Sequence, residues 1–299
     1  MSITCVTEQG SYQLYTIQSK ENGIMNKHIE NLTQMLKDGL TEYTNSEKYH
    51  ELLCVMSHFH HYSVNNCLLI AMQCPQASYV AGYTSWRNNF HRQVKRGSKA
   101  IRIFSPYTYK TKDENGEEIE RLGFKAASVF DISATEQIEH LEPVTIGIED
   151  LQGTIDNYKQ FLTAFEYVSP VPVEYKLFDG GAKGYYSDKE KQIVIQDGMT
   201  ERQSVKTLVH EIAHAMLHTK EQLQECMKNR KQKELEAESV AYVVCEHFGF
   251  DSEDYSFPYI VGWGGTGFQD ILKESMTVIQ KTADQIITGV NQYFENNSK

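Results

Sequence analysis

The segment His210-Glu211-Ile212-Ala213-His214 sets two imidazoles and one carboxylate at a spacing that suits a metal ion. On a helix, residues four apart lie one above the other with about 6 Å of rise, so His210 and His214 can reach the same ion. Glu211 then stands beside the ion without binding it, where it can take a proton from a coordinated water. Zinc lowers the pKa of such a water to about 7, which makes Zn2+ the expected cofactor and Glu211 the expected general base.

A catalytic zinc takes three protein ligands and keeps one position open. The segment KELEAESVAYVV offers Glu234, Glu236 and Glu238. Its apolar face runs through Ala237, Val240, Ala241, Val244 and Phe248. At about 100° per residue Glu234 is closest to that face, with Glu236 and Glu238 further out on opposite sides. Glu234 is therefore the expected third ligand and Glu238 the next candidate. Standing one turn on from Glu234, Glu238 can instead hydrogen-bond a ligand histidine and fix its tautomer. His218 extends the string to HEIAHAMLH, but the glycine of the HExxHxxGxxH pattern is missing. A straight helix would carry His218 away from the ion, which predicts a noncatalytic role. Tyr185, Tyr186 and Tyr242 are candidates to stabilise an oxyanion, with core packing as the default for each.

The elements that must hold these groups are legible nearby. Thr200 with Gln203 forms a capping box, and Val205, Leu208, Val209, Ile212, Ala213, Met216 and Leu217 follow the spacing of one buried helical face. A second helix is expected from about 232 to 248, ending at Gly249, and a final amphipathic one over roughly 268–294. Ahead of them the pattern predicts a helix over about 149–166 and strands near 171–177 and 192–196. The last of these, QIVIQ, is either an edge on which an extended peptide could pair or an ordinary sheet strand.

The first half reads differently. Apolar residues recur at three and four positions from Asn26 to about Leu40 and from Glu47 to Cys74, predicting two or three helices that stop before Pro75. Residues 99–109 and 122–131 flank a polar stretch containing Asn115-Gly116, the signature of a long antiparallel hairpin. The polar segment 133–147 contains Pro143 and loses periodicity, so a domain boundary is expected there. The reading is an α+β chain of two domains, 1–145 and 146–299.

At 299 residues each domain can bury its own core. The six cysteines form no CxxC pair and are read as reduced, mostly packed thiols. The opening twenty residues lack a basic start followed by an apolar run, and no stretch approaches eighteen apolar residues. A soluble cytoplasmic protein with no membrane partner is expected.

The net charge of −11 argues against nucleic acid as a partner until its distribution is considered. Between Leu52 and Lys112 there is no acidic residue, while Arg87, Arg92, Lys95, Arg96, Lys99, Arg102, Lys110 and Lys112 give +8. Tyr62, Tyr79, Tyr83, Trp86 and Phe90 interleave with these cations. Aromatic faces that stack on bases, beside cations that neutralise phosphates, suit single-stranded DNA; the bland alternative is a solvated basic face over an aromatic core. The expected DNA contacts are Trp86, Arg87, Arg92, Lys95, Arg96 and Lys99.

The ordered segments YSVNNCLLIAMQCPQASYVAGYTSW, VKRGSKAIRIFSP and VFDISAT resemble the N-terminal domain of the ArdC antirestriction family. That resemblance implies a single-stranded-DNA-binding domain followed by a zincin-like metallopeptidase domain, carried on mobile elements and guarding incoming DNA from restriction. HEIAHAMLH and ELEAE are similar to the ImmA/IrrE-type peptidases, and this likeness assigns Glu234, in the ExxA position, as a metal ligand. Two further readings stand beside this one. In the first the zinc is structural and DNA coating alone gives protection; in the second the protein is a regulatory protease that cleaves a repressor. The protein or peptide substrate is not specified by the sequence.

Overall fold

A computed structural model describes residues 2–6, 12–16, 23–112, 116–144, 158–177, 181–225, 228–250 and 268–297, with residues 146 and 257. In chain order they form β1 (Ser2–Val6), β2 (Tyr12–Thr16), α1 (Gly23–Gly39), α2 (Ser46–His58), α3 (Val64–Gln73), β3 (Val80–Gly82) and α4 (Tyr83–Asn88). There follow β4 (Arg92–Val94), β5 (Ile101–Lys112), β6 (Glu118–Asp131), β7 (Thr135–Gln137), α5 (Tyr158–Val168) and β8 (Val173–Lys176). The last elements are β9 (Gly184–Ser187), β10 (Gln192–Gln196), α6 (Glu201–Leu217), α7 (Lys220–Glu225), α8 (Arg230–His247) and α9 (Phe268–Asn297). The fold class is α+β. No described helix is long and apolar enough to cross a membrane. Among the described residues Cys54, Cys67, Cys74 and Cys245 are free thiols.

The chain divides into two compact units, residues 1–43 with 61–147 and residues 44–60 with 148–299. In the first unit β5 and β6 pair antiparallel from Ile101↔Val129 to Lys112↔Glu118, and β3 extends the sheet beyond β6. The expected hairpin is thus present and longer than its apolar ends suggested; Asn115 of its turn lies outside the described residues. Helices α1 and α3 lie on this hairpin, α1 burying Ile29, Leu32 and Leu36 at helical spacing. One end of β5, at the sheet edge, is closed by two amide side chains of α3. Asn66 both donates to and accepts from the Phe104 backbone at 2.9 Å, and Gln73 does the same for Arg102. These bonds occupy groups that would otherwise invite another strand.

Asp131, the last residue of β6, secures the same end of the sheet from the opposite edge. Its buried carboxylate accepts from the backbone N–H groups of Ser78, Tyr79 and Ser133 at 2.9, 3.2 and 2.9 Å. Burial raises its proton affinity, but the bonds from Ser133, Ser78 and Tyr79 outweigh that and hold its pKa below the ordinary 3.8.

The second unit holds the sheet β8-β10-β9, with β10 parallel to β8 and antiparallel to β9. QIVIQ is therefore the central strand and not an edge. Ile193, Val194 and Ile195 are all buried, as a strand covered on both faces requires. The described part of the helix expected over 149–166 is α5; residues 149–157 lie outside the described residues. Helix α6 packs on β9, β10 and α8, while α8 also packs on α2 and α9.

The helix 46–58, read from sequence as part of the first domain, belongs to the second unit. Tyr49, Leu52, Leu53, Val55 and Met56 are fully buried, the Tyr49 hydroxyl meets Ser239 Oγ of α8 at 2.9 Å, and His247 donates from Nδ1 to the Ser57 carbonyl. Apolar spacing marks a face for burial without naming its partner, and here the partner lies some 190 residues away.

Asp131→Ala should lower the unfolding free energy by about 2 kcal/mol at pH 7, because three N–H groups lose a charged acceptor. A folded-state pKa below 3.8 means that this stabilisation is present above that pH and is lost as the pH falls through the folded value. In urea denaturation the gap between wild type and variant should accordingly narrow in acid below about pH 4.

Candidate functional site

Thr200 starts α6 by accepting from the Gln203 N–H, the capping interaction its sequence position predicts. Val205, Leu208, Val209, Ile212 and Ala213 are then fully buried. This fixes the rotation of the helix, and His210 and His214 emerge one turn apart on its flank. Across from them α8 presents Glu234.

The ring nitrogens His210 Nε2 and His214 Nε2 lie 3.0 Å apart, and a Glu234 carboxylate oxygen lies 3.6 Å from the first and 3.7 Å from the second. Donor atoms around a four-coordinate divalent ion are separated by roughly 3.3–3.5 Å, so the three side chains need to move only a few tenths of an ångström to share one. The arrangement also calls for positive charge, since two imidazole lone pairs turned toward each other repel. Burial lowers the proton affinity of His210, yet Glu234, Glu238 and Glu211 together push its pKa up to about 9. The same carboxylates favour a cation in general. Glu234 itself is held well below the ordinary carboxylate range by its bonds to His210 and His214.

Each of the two histidines is gripped from behind. Glu238 accepts from His210 Nδ1 at 3.1 Å while its other oxygen meets Lys206 Nζ at 3.1 Å. Behind His214 stands His218, their Nδ1 atoms 2.8 Å apart, and His218 Nε2 reaches Glu236 at 3.0 Å. His218 is thus turned to the back of His214 and not toward Glu234. Glu236 departs from its expected outer position. It is fully buried, accepting from His218, Lys228 at 2.8 Å and Ser275 at 2.7 Å, because α9 covers a side of α8 that apolar spacing alone left open.

Glu211 is 7% exposed, and its pKa is raised by burial against the lowering influence of His210, His214 and the Tyr186 backbone N–H. That N–H comes from β9, an edge of the sheet. Gly184 lets the strand lie close to the helix, since a Cβ there would come within 2.7 Å of the Thr207 side chain. Of the tyrosines, Tyr242 is buried against His50 and Phe257, Tyr186 donates its hydroxyl to Asp188, and Tyr185 is 44% exposed on β9.

In the first unit the expected DNA contacts separate. Trp86 is fully buried, its indole N–H donating to the Phe130 carbonyl and its ring packed against Tyr79 and Phe90. It has no face for a base, and the expectation of a Trp86 contact is corrected: on a helix as short as α4 the largest apolar group turns inward. Arg92 bonds Thr135 through its guanidinium and Lys95 donates to the Ser133 carbonyl at 3.0 Å. Arg87, Arg96 and Lys99 are exposed. Tyr83, four residues before Arg87 on α4, is 58% exposed.

The hairpin adds residues that sequence reading passed over. Tyr107 lies against Gly123, where a Cβ would come within 2.8 Å of its ring, and the Tyr109 ring lies 5.8 Å away, tilted by 36°. Arg121 pairs opposite Tyr109 and Lys125 opposite Ser105, which puts both cations on the tyrosines' face. Lys110 and Lys112 instead face Glu120 and Glu118 across the strands, so the apparent charge of the acid-free window is partly cancelled by β6.

Residues 19–130 match the model of the N-terminal domain of anti-restriction factor ArdC, and residues 170–245 match the IrrE N-terminal-like domain of the M78 peptidase family. The chain is ArdC-like: its first part is similar to the ArdC N-terminal domain and its second to the IrrE-like peptidase domain. An uncharacterized protein of Bacillus anthracis is 28% identical over 321 aligned residues, which cover 93% of this chain and 53% of that protein. The chain therefore spans about half the length of this curated relative. The metal-free crystal structure of the antirestriction ArdC protein from plasmid R388 shares the fold, at a TM-score of 0.52 and 18% identity over 78% of this chain and 85% of that one.

If His210, His214 and Glu234 share one divalent ion, Glu234→Ala should weaken its binding in chelator competition by more than about 100-fold. Glu238→Gln, acting through His210, should cost about 10–100-fold.

Proposed function

We propose that this ArdC-like chain is a mobile-element-associated cytoplasmic protein that holds single-stranded DNA with one part and cleaves a protein or peptide with a zinc site in the other, protecting incoming DNA from restriction. On this reading the DNA-binding part is residues 1–145 without the helix 46–58, and the peptidase part is residues 146–299 together with that helix.

The observation that carries the peptidase reading is Glu211, a buried carboxylate of raised proton affinity next to two histidines and Glu234. His210, His214 and Glu234 would hold the ion, and zinc in that place would supply an activated water and Lewis-acid polarisation of the scissile carbonyl. Glu211 receives the proton on its carboxylate and delivers it to the leaving amine; burial keeps water from competing and brings its pKa nearer the working pH. The Tyr186 N–H holds the carboxylate in place throughout. A site that was only structural would have no use for a destabilised carboxylate beside its ligands. Glu211→Gln should keep its zinc, measured by metal analysis, and lose protection of incoming DNA in cells; full protection by this variant would refute the peptidase reading and leave DNA coating as the activity.

The DNA reading rests on aromatics beside cations: exposed Tyr83 with Arg87, and exposed Tyr109 and half-buried Tyr107 with Arg121 and Lys125. Stacking of one base on such a ring contributes about 1–3 kcal/mol. Tyr109→Ala should therefore weaken binding of a labelled oligonucleotide in fluorescence anisotropy by about 5- to 150-fold. Arg87→Ala should instead flatten the dependence of affinity on salt. Binding that ignores salt would overturn the reading.

A further inference from the structure

Glu236 is a fully buried carboxylate at the meeting of α6, α8 and α9. A charge in that position is tolerated only when its lone pairs are met. Lys228 Nζ and His218 Nε2 reach Oε2 at 2.8 and 3.0 Å, and Ser275 Oγ reaches Oε1 at 2.7 Å. A carboxylate only accepts, so the hydrogen of His218 sits on Nε2. His218 Nδ1 is then a bare lone pair, 2.8 Å from His214 Nδ1. To make that contact a hydrogen bond, His214 must carry its own hydrogen on Nδ1. Its Nε2 is left bare, and this is the nitrogen that faces His210 and Glu234.

We infer that His218 is a positioning residue for the metal, passing the demand of the buried Glu236 carboxylate through its ring so that His214 presents Nε2 to the ion. The inference rests on the zinc reading of the site. It gives the two ligand histidines different supports. His210 is held directly by Glu238, which is partly open to solvent, whereas His214 is held through two links that end on buried groups. Ser275 brings the C-terminal helix into the site: α9 supplies a donor without which one oxygen of the buried carboxylate would lack its bond.

Two substitutions separate positioning from mere packing. In His218→Asn the side-chain oxygen takes roughly the place of Nδ1 and can still accept from His214. In His218→Gln the amide takes roughly the place of Nε2, keeping a contact with Glu236 while losing the acceptor for His214. Measured on the full chain by chelator competition, Zn2+ affinity should fall about 10- to 100-fold in His218→Gln and stay within about 5-fold of wild type in His218→Asn. Equal affinity of His218→Gln and wild type, or no advantage of Asn over Gln, would overturn the inference. A readout that needs no variant is the histidine 15N NMR spectrum of the zinc-loaded wild-type chain. It should show hydrogen on Nδ1 of His214 and on Nε2 of His218, and a His218 ring protonated on Nδ1 instead would also overturn it. Failure of the wild-type chain to bind Zn2+ at all would sink the zinc reading itself; binding by wild type with an unaffected His218→Gln would sink this inference alone.

Discussion

Two imidazole nitrogens turned toward each other at 3.0 Å, on a helix whose other face is fully buried, form an arrangement that needs a positive charge between them. Glu234 supplies the matching negative charge from a second helix. The rest of the second unit follows from keeping those three groups in register. Helix α6 cannot rotate because its apolar face is packed, and α8 cannot slide because α2, α6 and α9 enclose it. The nitrogens cannot exchange roles because each ring is hydrogen-bonded from behind. Polar groups placed this deep are tolerated because nearly all have partners, and that satisfaction makes the geometry specific.

The carboxylates of the site show how environment assigns roles to one residue type. Glu234 is held ionised by the two histidines it faces, Glu238 by burial overcome through His210 and Lys206, and Glu236 by burial overcome through His218, Lys228 and Ser275. Glu211 is the exception, pushed the other way by burial. Three carboxylates are thus held as negative charge and one has a raised proton affinity, the kind of division in environment that the proposed acid–base role of Glu211 calls for.

In the first unit the same economy of partners operates on the surface. The hairpin presents Tyr107, Tyr109, Arg121 and Lys125 on one face, while α4 turns Trp86 in and Tyr83 with Arg87 outward. Charge that is conspicuous along the sequence is redistributed by the fold, with Lys110 and Lys112 set against glutamates across the hairpin, Arg92 engaged with Thr135 of β7 and Lys95 with Ser133 in the turn before it. The cationic surface that remains mixes residues from inside and outside the acid-free window.

Local sequence alone determined the elements and the first half of the site. Capping chemistry at Thr200, the 3.6-residue period of α6 and the four-residue spacing of His210 and His214 are properties of a contiguous segment, so they could be read without a partner. The long hairpin and the α+β class were legible for the same reason. What only the tertiary structure decided are contacts between distant segments: the transfer of helix 46–58 to the second unit, the central place of QIVIQ, the inward turn of Trp86, and the relay from His214 through His218 and Glu236 to Ser275. Periodicity tells a side chain that it faces inward, but a buried carboxylate or indole is defined by what meets it. Those partners lie from about twenty to nearly two hundred residues away, beyond the reach of any local pattern.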